Sequence, residues 1–175
     1  MGRGASRGFT LLELSIAMSI LLIGLVSAAA ATTRMHDLRR QNRDRTVAQN
    51  AARSIAERIH AQSYRLSEEP ESWSRELLNI FGPGGTFGTK FDVPLLNQVQ
   101  ENVLVGTITI VTDETLTDAE LACDLAMPRD LNADGDKSDT DVSSSARLLP
   151  VVIDLTWTGA SGEQSLRHGF YVMGY

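Results

Sequence analysis

One apolar stretch decides the fold of this chain: residues 9–33, FTLLELSIAMSILLIGLVSAAAATT, in which Glu13 is the only charged residue. As a helix rising about 1.5 Å per residue, it would span about 37 Å, enough to cross the hydrocarbon core of a bilayer. The preceding residues, MGRGASRG, carry Arg3 and Arg7 and are too short and polar to fold by themselves. The N-terminus therefore predicts a leader, residues 1–8, followed by a transmembrane helix, residues 9–33.

Two kinds of targeting segment fit this N-terminus. A secretory signal peptide would use the two arginines as its charged region, residues 14–26 as its apolar region and the alanines at 28–31 as its cleavage site. Glu13 argues against that interpretation, because a carboxylate near the centre of a bilayer costs about 2 to 3 kcal/mol and such residues usually mark a function.

The string GFTLLE at residues 8–13 resembles the leader of type IV pilins and of the pseudopilins of type II secretion. The resemblance implies that a prepilin peptidase cuts between Gly8 and Phe9 and methylates the new amino terminus on Phe9. It also gives Glu13 a role in assembly. In a filament core, the α-amino group of a neighbouring Phe9 would neutralise the buried Glu13 carboxylate.

The charges around the apolar stretch bear on its orientation. Only two arginines precede it, whereas five follow it closely: Arg34, Arg39, Arg40, Arg43 and Arg45. The positive-inside rule alone would place the C-terminal part in the cytoplasm. We give the leader motif precedence, so we expect a single pass through the bacterial inner membrane with the remainder in the periplasm, and later in a pilus or pseudopilus.

Residues 34–65, the amphipathic arm, are predicted to continue the helix. Apolar residues recur there at spacings of three and four, at Met35, Leu38, Ala48, Ala51, Ala52, Ile55, Ala56 and Ile59. The Ala and Ile face of its outer half is expected to pack on a sheet. The arginine-rich face is either simply solvated or contacts the acidic heads of neighbouring subunits.

Residues 66–175 are predicted to form the globular head. A short helix is expected over 73–81, and alternating or β-branched residues predict strands over 103–112, 148–158 and 165–173. The last two strands, joined by GASGE at 159–163, read as a hairpin. This hairpin resembles the closing hairpin of minor pilins of the pilus-modification type. The expected fold is therefore α+β and pilin-like, with a long N-terminal helix packed on a small antiparallel sheet.

An acidic loop within the head, residues 130–141, has the sequence DLNADGDKSDTD. Oxygen-bearing side chains occupy the positions of an EF-hand or dockerin-type calcium loop, namely Asp130, Asn132, Asp134, Asp136, Ser138 and Asp141, with Gly135 at the sharp turn. We expect Asp136 to bind through its backbone carbonyl and Ser138 directly or through water. The alternative is a solvated acidic loop without a metal.

Composition excludes several classes of function. The chain has 175 residues and a net charge of -6, which does not suit a nucleic-acid binder. The arm carries eight Arg and three acids, whereas residues 66–175 carry six bases and eighteen acids. His36, His60, His168 and the single cysteine, Cys123, are scattered in the sequence and form no catalytic motif. We therefore expect a structural protein and not an enzyme.

The sequence thus predicts a minor pilin or minor pseudopilin that primes or caps a type IV pilus or a type II secretion pseudopilus. Its partners would be other pilins or pseudopilins, the prepilin peptidase and the inner membrane before assembly, and calcium would be its cofactor. Two alternatives remain open. One is a major pseudopilin, and the other is a calcium-dependent, adhesin-like binding module that is tethered or secreted through a signal peptide.

Overall fold

The computed structural model describes residues 10–66 and 72–174. Its helices are α1 (Leu11–Leu66), α2 (Trp73–Phe81) and α3 (Asp118–Leu121). Its strands are β1 (Lys90–Phe91), β2 (Gly106–Ile110), β3 (Leu148–Gly159) and β4 (Gly162–Met173). The strands form one antiparallel sheet in the order β1-β2-β3-β4.

The chain divides into two compact units, Met1–Arg40 and Gln41–Tyr175. In the first unit the described residues form the N-terminal part of α1, and none of them is buried. The second unit contains the remainder of α1, the two shorter helices, the sheet and the hydrophobic core.

Strand β3 is the centre of the sheet. It pairs with β4 along its whole length, from Leu148 opposite Met173 to Gly159 opposite Gly162. Its other edge pairs with β2, with Ile108 opposite Ile153. Because β3 has a strand on each side and a covered face above and below, its residues read as a nearly continuous apolar run, and seven of the twelve are buried.

One face of the sheet packs on α1. The residues of α1 that are buried recur every three or four positions, as expected for one helical stripe: Asp44, Ala48, Ala52, Ala56, Ile59 and Ser63. On the sheet, Val151 lies opposite Phe170, and the Phe170 ring lies 5.0 Å from the ring of His60 on α1.

The opposite face is covered by residues 111–147, the β2–β3 connection. Arg167 on β4 donates hydrogen bonds to the carbonyls of Leu121 and Ala122 at 3.2 and 3.3 Å. Gly169 lies so close to the connection that a β-carbon there would be 2.3 Å from the Cys123 sulfur. Glycine is therefore required for the connection to lie against the strand.

The predicted α+β class, a long N-terminal helix on a small antiparallel sheet, is confirmed. The predicted helix over 73–81 and the closing hairpin are present. The strand expected over 103–112 is shorter, Gly106–Ile110. Strand β1 and helix α3 were not predicted, because two and four residues are too few to show a period. The predicted division into segments 1–8, 9–33, 34–65 and 66–175 stays a prediction.

Candidate functional site

The acidic loop lies within the β2–β3 connection and is folded by its own side chains. Asp130 accepts the backbone amides of Ala133 at 2.6 Å and of Gly135 at 3.0 Å. Asn132 accepts the amide of Asp134, and Asp134 in turn accepts the amide of Asp136. These local turns need one glycine, because Gly135 has a φ of 102°, in the left-handed region.

Three carboxylates converge beside this loop. Oxygen atoms of Glu114, Asp136 and Asp139 all lie within 4.8 Å of one another. The side-chain amide nitrogen of Asn132, Nδ2, donates to both Asp139 and Asp134 at 3.0 Å. The carboxylate of Asp134 therefore lies next to the three that converge. Of the residues predicted from the sequence, the structure therefore brings Asp136 into the cluster and Asn132 and Asp134 next to it.

The other predicted ligands have other partners. Asp130 holds the turn just described, and Asp141 accepts the backbone amide of Ser143 at 2.9 Å. Ser138 donates its hydroxyl to Asp136 at 3.0 Å. Among the described residues, neither Asp130 nor Asp141 belongs to the group of converging carboxylates.

Glu114 was missed by sequence analysis. Its side chain is fully buried, and its Oε1 atom accepts the backbone amides of Leu131 at 2.6 Å and Asn132 at 3.2 Å. No described group donates a hydrogen bond to its Oε2 atom. A single acid that follows a short strand shows no period or spacing, so the sequence held no signal for this role beyond the charge itself.

Two of the loop carboxylates are held in the ionised form. The pKa of Asp136 is lowered by hydrogen bonds from the backbone amide of Ser138 and then from its hydroxyl. Hydrogen bonds from the backbone and side chain of Ser143 lower the pKa of Asp141 in the same way. Such oxygen-only groups are the ligands of hard divalent cations.

The second functional feature is the N-terminal part of α1. Its large apolar residues from Leu11 to Val26 lie on all sides of the helix, and the least exposed of them still exposes 52% of its surface. By length and composition this helix is long and apolar enough to cross a membrane. A helix that is apolar all round requires lipid or other helices around it.

Thr10 begins this helix. Its hydroxyl oxygen accepts the backbone amide of Glu13 at 3.3 Å, and its carbonyl accepts the amide of Leu14 at 3.2 Å. Glu13 is exposed, and among the described residues it forms no salt bridge. The acid at the start of a helix is also placed where the helix dipole favours negative charge.

Comparison with known families gives one match, which covers residues 3–29. The match is to the prokaryotic N-terminal methylation motif. The match covers 27 of the 175 residues and supports a type IV pilin-like processing signal at the N-terminus. No curated protein and no solved structure matches the chain.

The matched residues, 3–29, include the exposed apolar part of α1, which fits membrane anchoring by this helix. The proposed cleavage between Gly8 and Phe9 lies outside the described residues, so it stays a prediction. Glu13 is described, but its predicted partner, the amino group of Phe9 on a neighbouring subunit, is not.

Three of the four residues considered for catalysis, His60, His168 and Cys123, lie in packing contacts. His60 and His168 both lie against the Phe170 ring, at centroid distances of 5.0 and 5.6 Å. Cys123 packs near Gly169, and burial raises the pKa of its thiol, which makes it a poor nucleophile at neutral pH.

Proposed function

We propose that this chain is a minor pilin or minor pseudopilin that primes or caps the assembly of a type IV pilus or a type II secretion pseudopilus. One observation carries the proposal. The N-terminal part of α1 combines the methylation motif with an apolar surface that is exposed on every side. Before assembly, lipid would cover this surface. After assembly, the corresponding helices of other subunits would cover it.

Glu13 supplies the physical reason for ordered assembly. In lipid its carboxylate has no partner of opposite charge, which is costly. Cleavage before Phe9 creates a positive amino group at the same end of the helix. When two subunits dock, the amino group of one and the Glu13 carboxylate of the other form a charge pair in a medium of low dielectric constant. Docking therefore removes the free-energy cost of the unpaired Glu13 carboxylate in the membrane.

The proposed location is the bacterial inner membrane, crossed once, with the head in the periplasm until the subunit enters a filament. The prepilin peptidase would act on the cytoplasmic side of the membrane, where the leader lies. This orientation puts the arginines that follow the membrane segment on the periplasmic side, against the positive-inside tendency.

Those arginines have a use in the proposed assembly. All eight in the arm are exposed: Arg34, Arg39, Arg40, Arg43, Arg45, Arg53, Arg58 and Arg65. The head is acidic, with eighteen acids against six bases over residues 66–175. Complementary charge between the arm of one subunit and the head of the next would guide docking and set its register.

The proposed minor role rests on the closing hairpin, in which β3 and β4 run antiparallel for 12 residues each, and on its resemblance to the pilus-modification type. Gene deletion in the native host tests it. Loss of filaments or of pseudopilus-dependent export, together with a small share of this chain in sheared fibres, is the expected result. A chain that forms most of the fibre mass would instead be the major pseudopilin.

A calcium-dependent, adhesin-like binding module is the second candidate function. The observation in its favour is the acidic loop, where Asp136 is an exposed member of the carboxylate cluster and Asp134 is exposed beside it. That candidate needs no filament, so deletion would leave fibres and export intact. It would also allow an ordinary signal peptide to be removed near residue 31, which would leave no membrane helix.

A further inference from the structure

Glu114 is a buried acid with one unused oxygen. Its side chain is 0% exposed, and no described group donates to Oε2. Removing a carboxylate from water is costly unless an opposite charge or a full set of hydrogen bonds replaces the water. The two amides that reach Oε1 supply only part of that replacement.

The neighbours of Glu114 increase this cost. Oxygen atoms of Asp136 and Asp139 lie within 4.8 Å of a Glu114 oxygen and of each other, so three negative groups share one small volume. In residues 10–66 and 72–174, none of the three takes part in a salt bridge. The described protein therefore provides no counter-charge for this cluster.

We infer that Glu114, Asp136 and Asp139 bind one calcium ion, with Glu114 as a ligand from outside the acidic loop. Two oxygens bound to calcium at 2.3 to 2.6 Å lie at most about 5 Å apart, which agrees with the spacing of the three carboxylates. Glu114 takes the place that the acid at the twelfth loop position has in an EF-hand, because among the described residues Asp141 does not belong to the converging carboxylates and Glu114 does.

Calcium suits this site better than magnesium. The ligands come from two separate segments, Glu114 after β2 and Asp136 and Asp139 in the acidic loop, which favours an ion that accepts irregular coordination by six to eight oxygens. Magnesium requires near-ideal octahedral geometry at shorter distances and keeps several of its waters. The unused Oε2 of Glu114 also allows bidentate binding, which calcium tolerates.

The ion would fasten three segments of the second unit. The Glu114 amide donates to the Asp139 carbonyl at 2.9 Å, and the Val142 amide donates to the Thr112 carbonyl at 2.8 Å. The Leu131 carbonyl accepts the amides of Arg147 and Leu148, where β3 begins. Calcium would therefore hold the end of β2, the acidic loop and the start of β3 together. This inference does not depend on the proposed role in filaments.

The test uses the full-length chain in detergent micelles, stripped of metal with a chelator and then dialysed. Calcium affinity is measured by isothermal titration calorimetry, and the melting temperature by the fluorescence of the buried Trp73 and Trp157. The wild type should bind one calcium ion per chain. Its melting temperature should rise with calcium, because the ion binds only the folded form, and should return on adding chelator.

Glu114→Gln keeps the size of the side chain and removes its charge. It should weaken calcium binding by about tenfold or more and leave the metal-free melting temperature unchanged or higher, since a buried unpaired charge is gone. Asp141→Asn is the matched control and should bind calcium within about twofold of wild type. Asp136→Asn, at an exposed position, tests the same site without endangering the fold and should weaken binding like Glu114→Gln.

Three results would overturn the inference. The first is a wild-type chain whose melting ignores both calcium and chelator. The second is loss of binding in Asp141→Asn with normal binding in Glu114→Gln, which would assign the ion to the loop positions expected from the sequence. The third is an equal response to magnesium and calcium at the same concentration, which would remove the assignment to calcium.

Discussion

The indole N–H of Trp73 donates to the hydroxyl oxygen of Ser63 at 3.0 Å, and both residues are buried. The Ser63 hydroxyl itself donates to the Met173 carbonyl at 3.2 Å. One small side chain therefore joins α1, the start of α2 and the end of β4. This contact therefore anchors the start of α2 to the C-terminal part of α1.

Ser63→Ala should destabilise the second unit by about 1 to 3 kcal/mol, because it leaves the buried indole N–H without an acceptor. Ser54→Ala, an exposed serine on the same helix, is the control and should change stability by less than about 0.5 kcal/mol. Urea unfolding of the full chain in detergent, followed by tryptophan fluorescence, measures both. Equal midpoints for the two variants would show that the Trp73–Ser63 hydrogen bond contributes nothing.

Gly169→Ala should destabilise the chain by about 1 to 3 kcal/mol through overpacking. The added methyl would lie 2.3 Å from the Cys123 sulfur, and the β2–β3 connection would have to move off the sheet. Adding Cys123→Ala should restore part of the loss, since the clashing atom is removed. The coupling is read from a double-mutant cycle of unfolding free energies. Strictly additive effects would contradict the close contact.

Asp118 should make stability depend on pH. Its carboxylate accepts the backbone amides of Met127, Leu125 and Ala126, which lower its pKa below the ordinary value of 3.8. Because the pKa of Asp118 is lower in the folded chain than in the unfolded chain, its ionised form contributes its full stabilisation above the unfolded pKa. That stabilisation is lost as the pH falls through the folded pKa. The melting temperature of Asp118→Asn should therefore fall below that of wild type at pH 7.

The same difference should shrink as the pH is lowered past 3.8, because wild-type Asp118 then takes up its proton. Thermal melts of both chains across that range measure it. Asp124→Asn, an exposed acid of the same segment, serves as the control. A difference that stays constant with pH would mean that the Asp118 charge does not matter to these hydrogen bonds.

The fold was largely predictable where the sequence is periodic. The apolar run and the three-and-four spacing of Ala48, Ala52 and Ile59 predicted α1, and the GASGE loop at 159–163 between two predicted strands predicted the closing hairpin. Met35 and Leu38 share the helical spacing but are exposed, because the described core begins only past them, in the second unit. The spacing of apolar residues alone does not show which part of a helix packs against a core.

The candidate metal site was predictable only in part. Alternating acids around Gly135 marked the loop, because ligand spacing within one loop is local in sequence. The position of Glu114 depends on a contact with Leu131, 17 residues away, which no local pattern encodes. Asp139 falls between the regular ligand positions, and its approach to Asp136 follows from the turns that the loop side chains form.

Glu13→Ala should separate membrane insertion from assembly. Insertion should be unchanged, since the substitution removes a polar group from an apolar helix. Recovery of partner pilins with the tagged chain should fall by about tenfold, because the charge pair with a neighbouring amino terminus is lost. Ser15→Ala, another exposed polar residue of this helix, is the control. Copurification equal to wild type would exclude a pairing role for Glu13.

The intact mass of the chain extracted from its native membrane tests the central claim most directly. Processing as a pilin predicts the mass of residues 9–175 plus one methyl group, and a Gly8→Glu variant should keep its full leader while Gly8→Ala is still cut. A mass that corresponds to loss of about thirty residues, or correct maturation of Gly8→Glu, would contradict the account, because the apolar helix would then be absent or cut by another enzyme.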